Sequence, residues 1–110
     1  TKSANDAAKC ASFALANLDF ELRKAGSNAY KARREAEWRN QSVAFRKVAE
    51  AYGLSTARVD GVITKTRRKY TNFVQHMSSD DYASEQRQGE RLVSLCRKVQ
   101  RAHPTVPAVK

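Results

Sequence analysis

Both prolines of this chain, Pro104 and Pro107, fall within its last seven residues, and the four glycines are scattered singly ahead of them. Proline inside a helix removes a hydrogen bond and clashes with the preceding turn, so its absence leaves helix formation uninterrupted from the start to about residue 103. Ala, Arg, Lys, Glu and Gln, which lose little freedom in a helix, are abundant. The expectation is an all-α fold, a compact bundle of four to five helices. A chain of 110 residues supports one modest core. The reading is therefore a single helical domain over 1–103 with 104–110 as a flexible tail, and no internal repeat is visible.

Apolar spacing divides this span. Residues 4–25 read as a first helix, with Ala11, Leu15, Leu18 and Leu22 on one stripe and Phe13 and Phe20 widening it. Gly26 ends it, and Ser27 or Asn28 opens the next segment, where Trp38 is assigned to the core. Two readings of 28–52 stand open. Either the helix runs unbroken to Ala51, or it pauses at Arg39–Ser42 and Ser42 caps a fresh helix. A further helix spans Ser55 to about His76. Ser78, Ser79, Asp80 and Asp81 form a turn whose carboxylates suit the positive end of a helix dipole. The last helix reaches about Ala102. It is polar from Ala83 to Arg91 and docks through Leu92, Leu95, Cys96 and Val99.

The formal net charge is +10, which points to a polyanionic partner. The excess is uneven: residues 55–77 carry five cations against Asp60 alone, and residues 27–54 six against three acids. Nucleic acid is the commonest such partner; a merely solvated basic surface is the plain alternative. No apolar run reaches the length of about 20 residues that crosses a bilayer. The first residue is Thr rather than Met, so the lack of a targeting segment says nothing of compartment.

Within Phe45–Tyr70, Ala49 is followed by Gly53 and Leu54, then Val59 and Val62. Ala49 is small enough for two helix axes to approach, Gly53 supplies a tight turn, and Ser55 caps the second of the two helices. The same residues equally describe one helix ending at a glycine and another packing beside it. Over about a quarter of the chain this pattern resembles the helix-turn-helix unit of bacterial and phage repressors. The resemblance implies that the second helix lies in the major groove, with Ser55, Thr56, Ala57, Asp60, Gly61 and Thr64 at base edges. Asp60 suits a cytosine amino group. The candidate phosphate contacts are Arg46, Lys47, Arg58, Lys65, Arg67, Arg68 and Lys69. The expected protein is a small binder of double-stranded DNA, a transcriptional regulator or a plasmid or phage accessory factor, cytoplasmic or nucleoid-associated. A two-fold dimer is expected as well, since one short helix reads few base pairs.

Cys10 and Cys96 have no His or second Cys at metal-ligand spacing, so no metal or cofactor is expected. An up-down bundle brings Cys10, near the start of the first helix, beside Cys96, near the end of the last. A disulfide there contributes roughly 4 kcal/mol and implies an oxidising compartment; two reduced, buried thiols are the other reading. The residues give no enzyme signature: His76 and His103 are isolated, no glycine-rich phosphate loop or nucleophile elbow occurs, and Asp80 and Asp81 diverge by about 100° on a helix. DNA binding has two alternatives. One is a secreted or periplasmic disulfide-linked bundle whose basic surface meets acidic protein, lipid headgroups or cell-wall polymer. The other is an RNA or single-strand binder.

Overall fold

The computed structural model describes residues 1–77 and 79–109, Asp80 by its backbone. Its first helix, α1 (Lys2–Arg23), begins at Thr1, whose hydroxyl accepts a hydrogen bond from the Ala4 N–H at 3.2 Å. Ala4, Ala7, Ala8, Ala11, Ala14 and Ala16 have no exposed surface. They occupy more than one face, so α1 is enclosed by its neighbours over most of its length. Alanine permits this because it adds almost nothing to the helix radius and gives up no side-chain freedom. The small hydroxyl residues serve the same crossings: Ser42 Oγ donates to the Ala11 carbonyl at 3.0 Å, and the Ser12 and Thr66 hydroxyls are hydrogen-bonded at 2.7 Å.

Asn28 opens α2 (Ala29–Ala51) by accepting from the Lys31 N–H at 2.8 Å. This helix runs unbroken through Arg39–Ser42, because Ser42 spends its hydroxyl on α1 instead of capping a new start. Gly53, at φ 99°, then reverses the chain. Its N–H bonds to the Glu50 carbonyl at 2.9 Å and the Leu54 N–H to that of Ala49 at 3.2 Å, the paired pattern of a Schellman C-cap. Leu54 and Ala49 are both buried at this joint. Ser55 caps α3 (Thr56–His76), accepting from the Arg58 N–H at 3.2 Å. The turn expected at Ser78–Asp81 is in part a single 3-10 turn, Asp80–Tyr82, leading into α4 (Ala83–Ala102); Ser78 lies outside the described residues. The His76 and Tyr82 rings stack across it at 3.7 Å. The polar first half of α4 docks through Gly89, where an added Cβ would lie 2.7 Å from Met77 Cγ.

Phe13, Phe45, Val59, Ile63, Tyr70, Phe73 and Leu92 fill the core. Cys10 and Cys96 are joined by a disulfide that pins α1 to α4, and no cysteine is free. Closing a separation of 86 residues stabilises the fold by about 4–5 kcal/mol through the unfolded state on the chain-entropy estimate. Among the described residues no helix is long and apolar enough to cross a membrane.

Three expectations from the sequence need correction. Leu22 is 48% exposed, because α1 has emerged from its neighbours by its last turn. Trp38 is half-buried, with the Arg34 guanidinium 5.9 Å from its ring centre, so it lies at the edge of the core. The segment after Pro104 is packed: Val106 is only 2% exposed, the Gln41 amide donates to the Pro107 carbonyl at 2.9 Å, and that of Gln100 to the Val106 carbonyl at 3.3 Å. The prolines stop α4 but leave backbone carbonyls to accept from α2 and α4.

Ion pairs tie each of the first three helices to the other two. Glu21 of α1 accepts from Arg34 Nε of α2 at 3.1 Å, Asp19 of α1 holds Arg67 of α3 through two contacts of 2.7 Å, and Arg46 of α2 meets Asp60 of α3 at 2.6 Å. Burial raises the pKa of Glu21, but hydrogen bonds and attraction from Arg34 and Lys24 outweigh it and hold the carboxyl below its ordinary 4.5. A lowered folded-state pKa gives stability that is present above pH 4.5 and is lost as pH falls through the lower folded value. Glu21→Gln is therefore expected to cost about 1–2 kcal/mol in urea unfolding at neutral pH, and the gap between variant and parent should narrow as pH falls below 4.5 and through the lower folded value. A gap independent of pH would show that the charge of Glu21 contributes nothing.

Candidate polyanion-binding surface

The position of α3 follows from its apolar residues. Val59, Ile63, Thr66, Tyr70 and Phe73 recur at helical spacing and are buried against the core, which turns the remaining faces of α3 outward. Arg58, Lys65 and Lys69 follow at intervals of seven and four, so they lie within about 40° of one another around the helix axis. Arg68 sits about 100° from Lys69, toward solvent. All four are exposed, and none has an acidic partner among the described residues. They form a stripe of uncompensated positive charge on one shoulder of α3. Lys69 Nζ lies 5.9 Å from the centre of the Tyr70 ring, whose hydroxyl is pushed above its ordinary pKa of 10.0 by burial and therefore adds no negative charge to the stripe.

The other shoulder carries the residues expected at base edges. Ser55, Thr56, Ala57, Asp60, Gly61 and Thr64 are all exposed. Three have their polar groups in use. Ser55 Oγ caps the helix, Thr56 Oγ1 donates to Glu50 at 3.3 Å, and Asp60 receives Arg46. Two carboxylates, Glu50 and Asp60, therefore front this shoulder; Asp60 lies about 140–180° around the helix axis from Arg58, Lys65 and Lys69 and about 80° from Arg68.

The seven expected phosphate contacts are thus dispersed. Arg58, Lys65, Arg68 and Lys69 stay together. Arg46 and Arg67 are engaged by Asp60 and Asp19, and the hydrogen bonds Arg67 donates to Asp19 raise the pKa of Arg67, outweighing the opposing effect of burial. An arginine held bidentately by a carboxylate has most of its fork occupied. Lys47 lines a separate open groove of about 710 Å³ along α2, beside Val43, Val48, Tyr52 and His103. Tyr52 Oη and His103 Nε2 are hydrogen-bonded there at 3.0 Å. The sequence alone did not single out Lys9 of α1 and Arg91 of α4, which line one groove with Lys69. Their signal was the disulfide, since Lys9 adjoins Cys10 and Arg91 lies five residues before Cys96.

No family model matches the chain, and neither a curated protein nor a solved structure matches it.

The Arg46–Asp60 pair yields a direct test. Its carboxylate is 58% exposed, so the pair contributes little to stability. Asp60→Asn removes a negative charge from α3 and releases Arg46. Retention on an anionic column should move to higher salt, with affinity for a polyanion rising about two- to fivefold and thermal stability nearly unchanged. Unchanged retention would place the binding surface away from α3.

Proposed function

We propose that this protein is a disulfide-stapled helical binding domain of an oxidising compartment, periplasmic or extracellular, and that it holds an anionic polymer on the stripe of Arg58, Lys65, Arg68 and Lys69. The observation that carries the reading is the Cys10–Cys96 bond, which uses both cysteines of the chain and joins its first and last helices. Disulfides of this kind persist outside the reducing cytosol. The four cations supply the partner's chemistry, because they have no acidic partner among the described residues and lie on a face the core does not need. Recognition of this sort reads charge spacing along a polymer, with affinity drawn from counterion release. The cell-wall and surface polymers of an oxidising compartment carry that chemistry.

A second reading is favoured by the exposure of Thr56, Ala57, Asp60 and Thr64. It is a DNA-binding protein that places α3 in the major groove and acts as a two-fold dimer. Glu50 and Asp60 weigh against it, since they bring negative charge to the edge that approaches phosphate.

Two measurements separate the readings. A thiol count on denatured protein isolated without reductant is expected to give none, whereas two free thiols belong to a cytosolic regulator. With duplex DNA as a probe polyanion, the four cations predict a log–log salt slope of about −3.6, falling in magnitude by about 1 on Lys65→Gln. Thr56→Ala should leave affinity for duplex, single-stranded and RNA probes alike unchanged. A loss confined to one duplex sequence would establish groove reading and overturn the proposal.

A further inference from the structure

Lys9, Lys69 and Arg91 come from three different helices, α1, α3 and α4, yet they line one groove of about 250 Å³. All three are exposed and have no acidic partner among the described residues. The floor beneath them is apolar and aromatic, made of Tyr70, Phe73 and Leu92, each buried in the core. Three like charges around one concavity repel one another. A bound anion relieves it. The Cys10–Cys96 bond holds α1 to α4 next to the groove, so the backbone segments that carry Lys9 and Arg91 are tied together before any ligand arrives. Such preorganisation reduces the ordering cost of binding.

From this arrangement we infer that the groove is a binding site for a phosphate monoester, its dianionic head between Lys9, Lys69 and Arg91 and its organic stem against Tyr70, Phe73 and Leu92. Three cations match a dianion better than a single carboxylate or a phosphodiester. Arginine adds a planar pair of donors that fits two phosphoryl oxygens. The volume, equivalent to several waters, admits the phosphoryl group and a short stem. The same chemistry occurs on a small free ester and on the head of a phosphatidic-acid-type lipid. The inference does not depend on polymer binding: only Lys69 is shared with the α3 stripe, and the ligand is a small molecule or headgroup.

The test titrates the full-length oxidised protein with hexyl phosphate, inorganic phosphate and methyl hexyl phosphate, following Tyr70, Phe73 and Leu92 by NMR. Hexyl phosphate should bind about fivefold or more tightly than the diester, which has one charge fewer, and more tightly than inorganic phosphate, which has no stem. Lys9→Gln, Lys69→Gln and Arg91→Gln should each weaken hexyl phosphate about fivefold. Arg39→Gln, which makes the same change in net charge on an exposed part of α2, should leave its affinity unchanged. These side chains are exposed, so a melting curve for each variant confirms the fold. Sedimentation with phosphatidylcholine vesicles, with and without phosphatidic acid, identifies the source: co-sedimentation only with phosphatidic acid assigns a lipid head, and its absence alongside hexyl phosphate binding assigns a free ester. Equal affinity for monoester and diester, or an Arg39→Gln loss as large as that of Arg91→Gln, would overturn the site and leave diffuse charge attraction alone.

Discussion

The enclosure of α1 is the constraint on which the rest of the structure depends. A helix buried on more than one face allows its neighbours to approach only if its side chains are short, and Ala4, Ala7, Ala8, Ala11, Ala14 and Ala16 meet that requirement. Burying alanine removes little apolar area per residue, so the stabilisation must come from what the close approach permits. It permits hydroxyl links at the crossings, from Ser42 to the Ala11 carbonyl and between Ser12 and Thr66. It also brings the rings of Phe13 and Tyr70 edge-to-face at 6.4 Å. With α2, α3 and α4 all packed on one narrow rod, α3 presents its outer faces to solvent, and the candidate binding surface is a consequence of that placement.

The same packing sorts the charges. A protein at +10 repels itself, and each exposed cation raises that cost. Where helices cross, Asp19, Glu21 and Asp60 neutralise Arg67, Arg34 and Arg46. Acids are few, and those at crossings are committed to interhelical pairs, so the outer shoulder of α3 has none to spare. Its stripe is the residue of charge left after structural pairing, which is why four cations of α3 remain available to a partner while a fifth, Arg67, does not.

Much of this was legible in the chain. The Gly53 turn, the Ser55 cap and the buried series Val59, Ile63, Tyr70 and Phe73 are local, and local rules place them. The burial of alanines around α1 was not legible, because alanine is tolerated equally on a core face and in solvent; only the large residues mark a stripe, and one of these, Leu22, lies beyond the enclosed part. Proline likewise signals where a helix stops and carries no information on whether the following segment packs, so the burial of Val106 left no mark in the sequence. The charge count by segment placed the excess on α3 but missed Asp19, whose pairing with Arg67 spans 48 residues of sequence. The groove of Lys9, Lys69 and Arg91 required a contact between the ends of the chain, and the disulfide alone carried that information.

That bond also explains how so charged a chain remains folded while keeping its cations exposed. Ion pairs weaken with salt, and exposed pairs contribute little at any salt. A disulfide acts mainly by removing conformations from the unfolded chain, a contribution that neither salt nor the loss of a surface acid diminishes. Because Cys10–Cys96 joins α1 to α4, it restrains two of the three helices that line the cationic groove. Stability in this protein is thus partly separated from surface charge balance, and a surface relieved of stabilising the fold is free to carry uncompensated charge for binding.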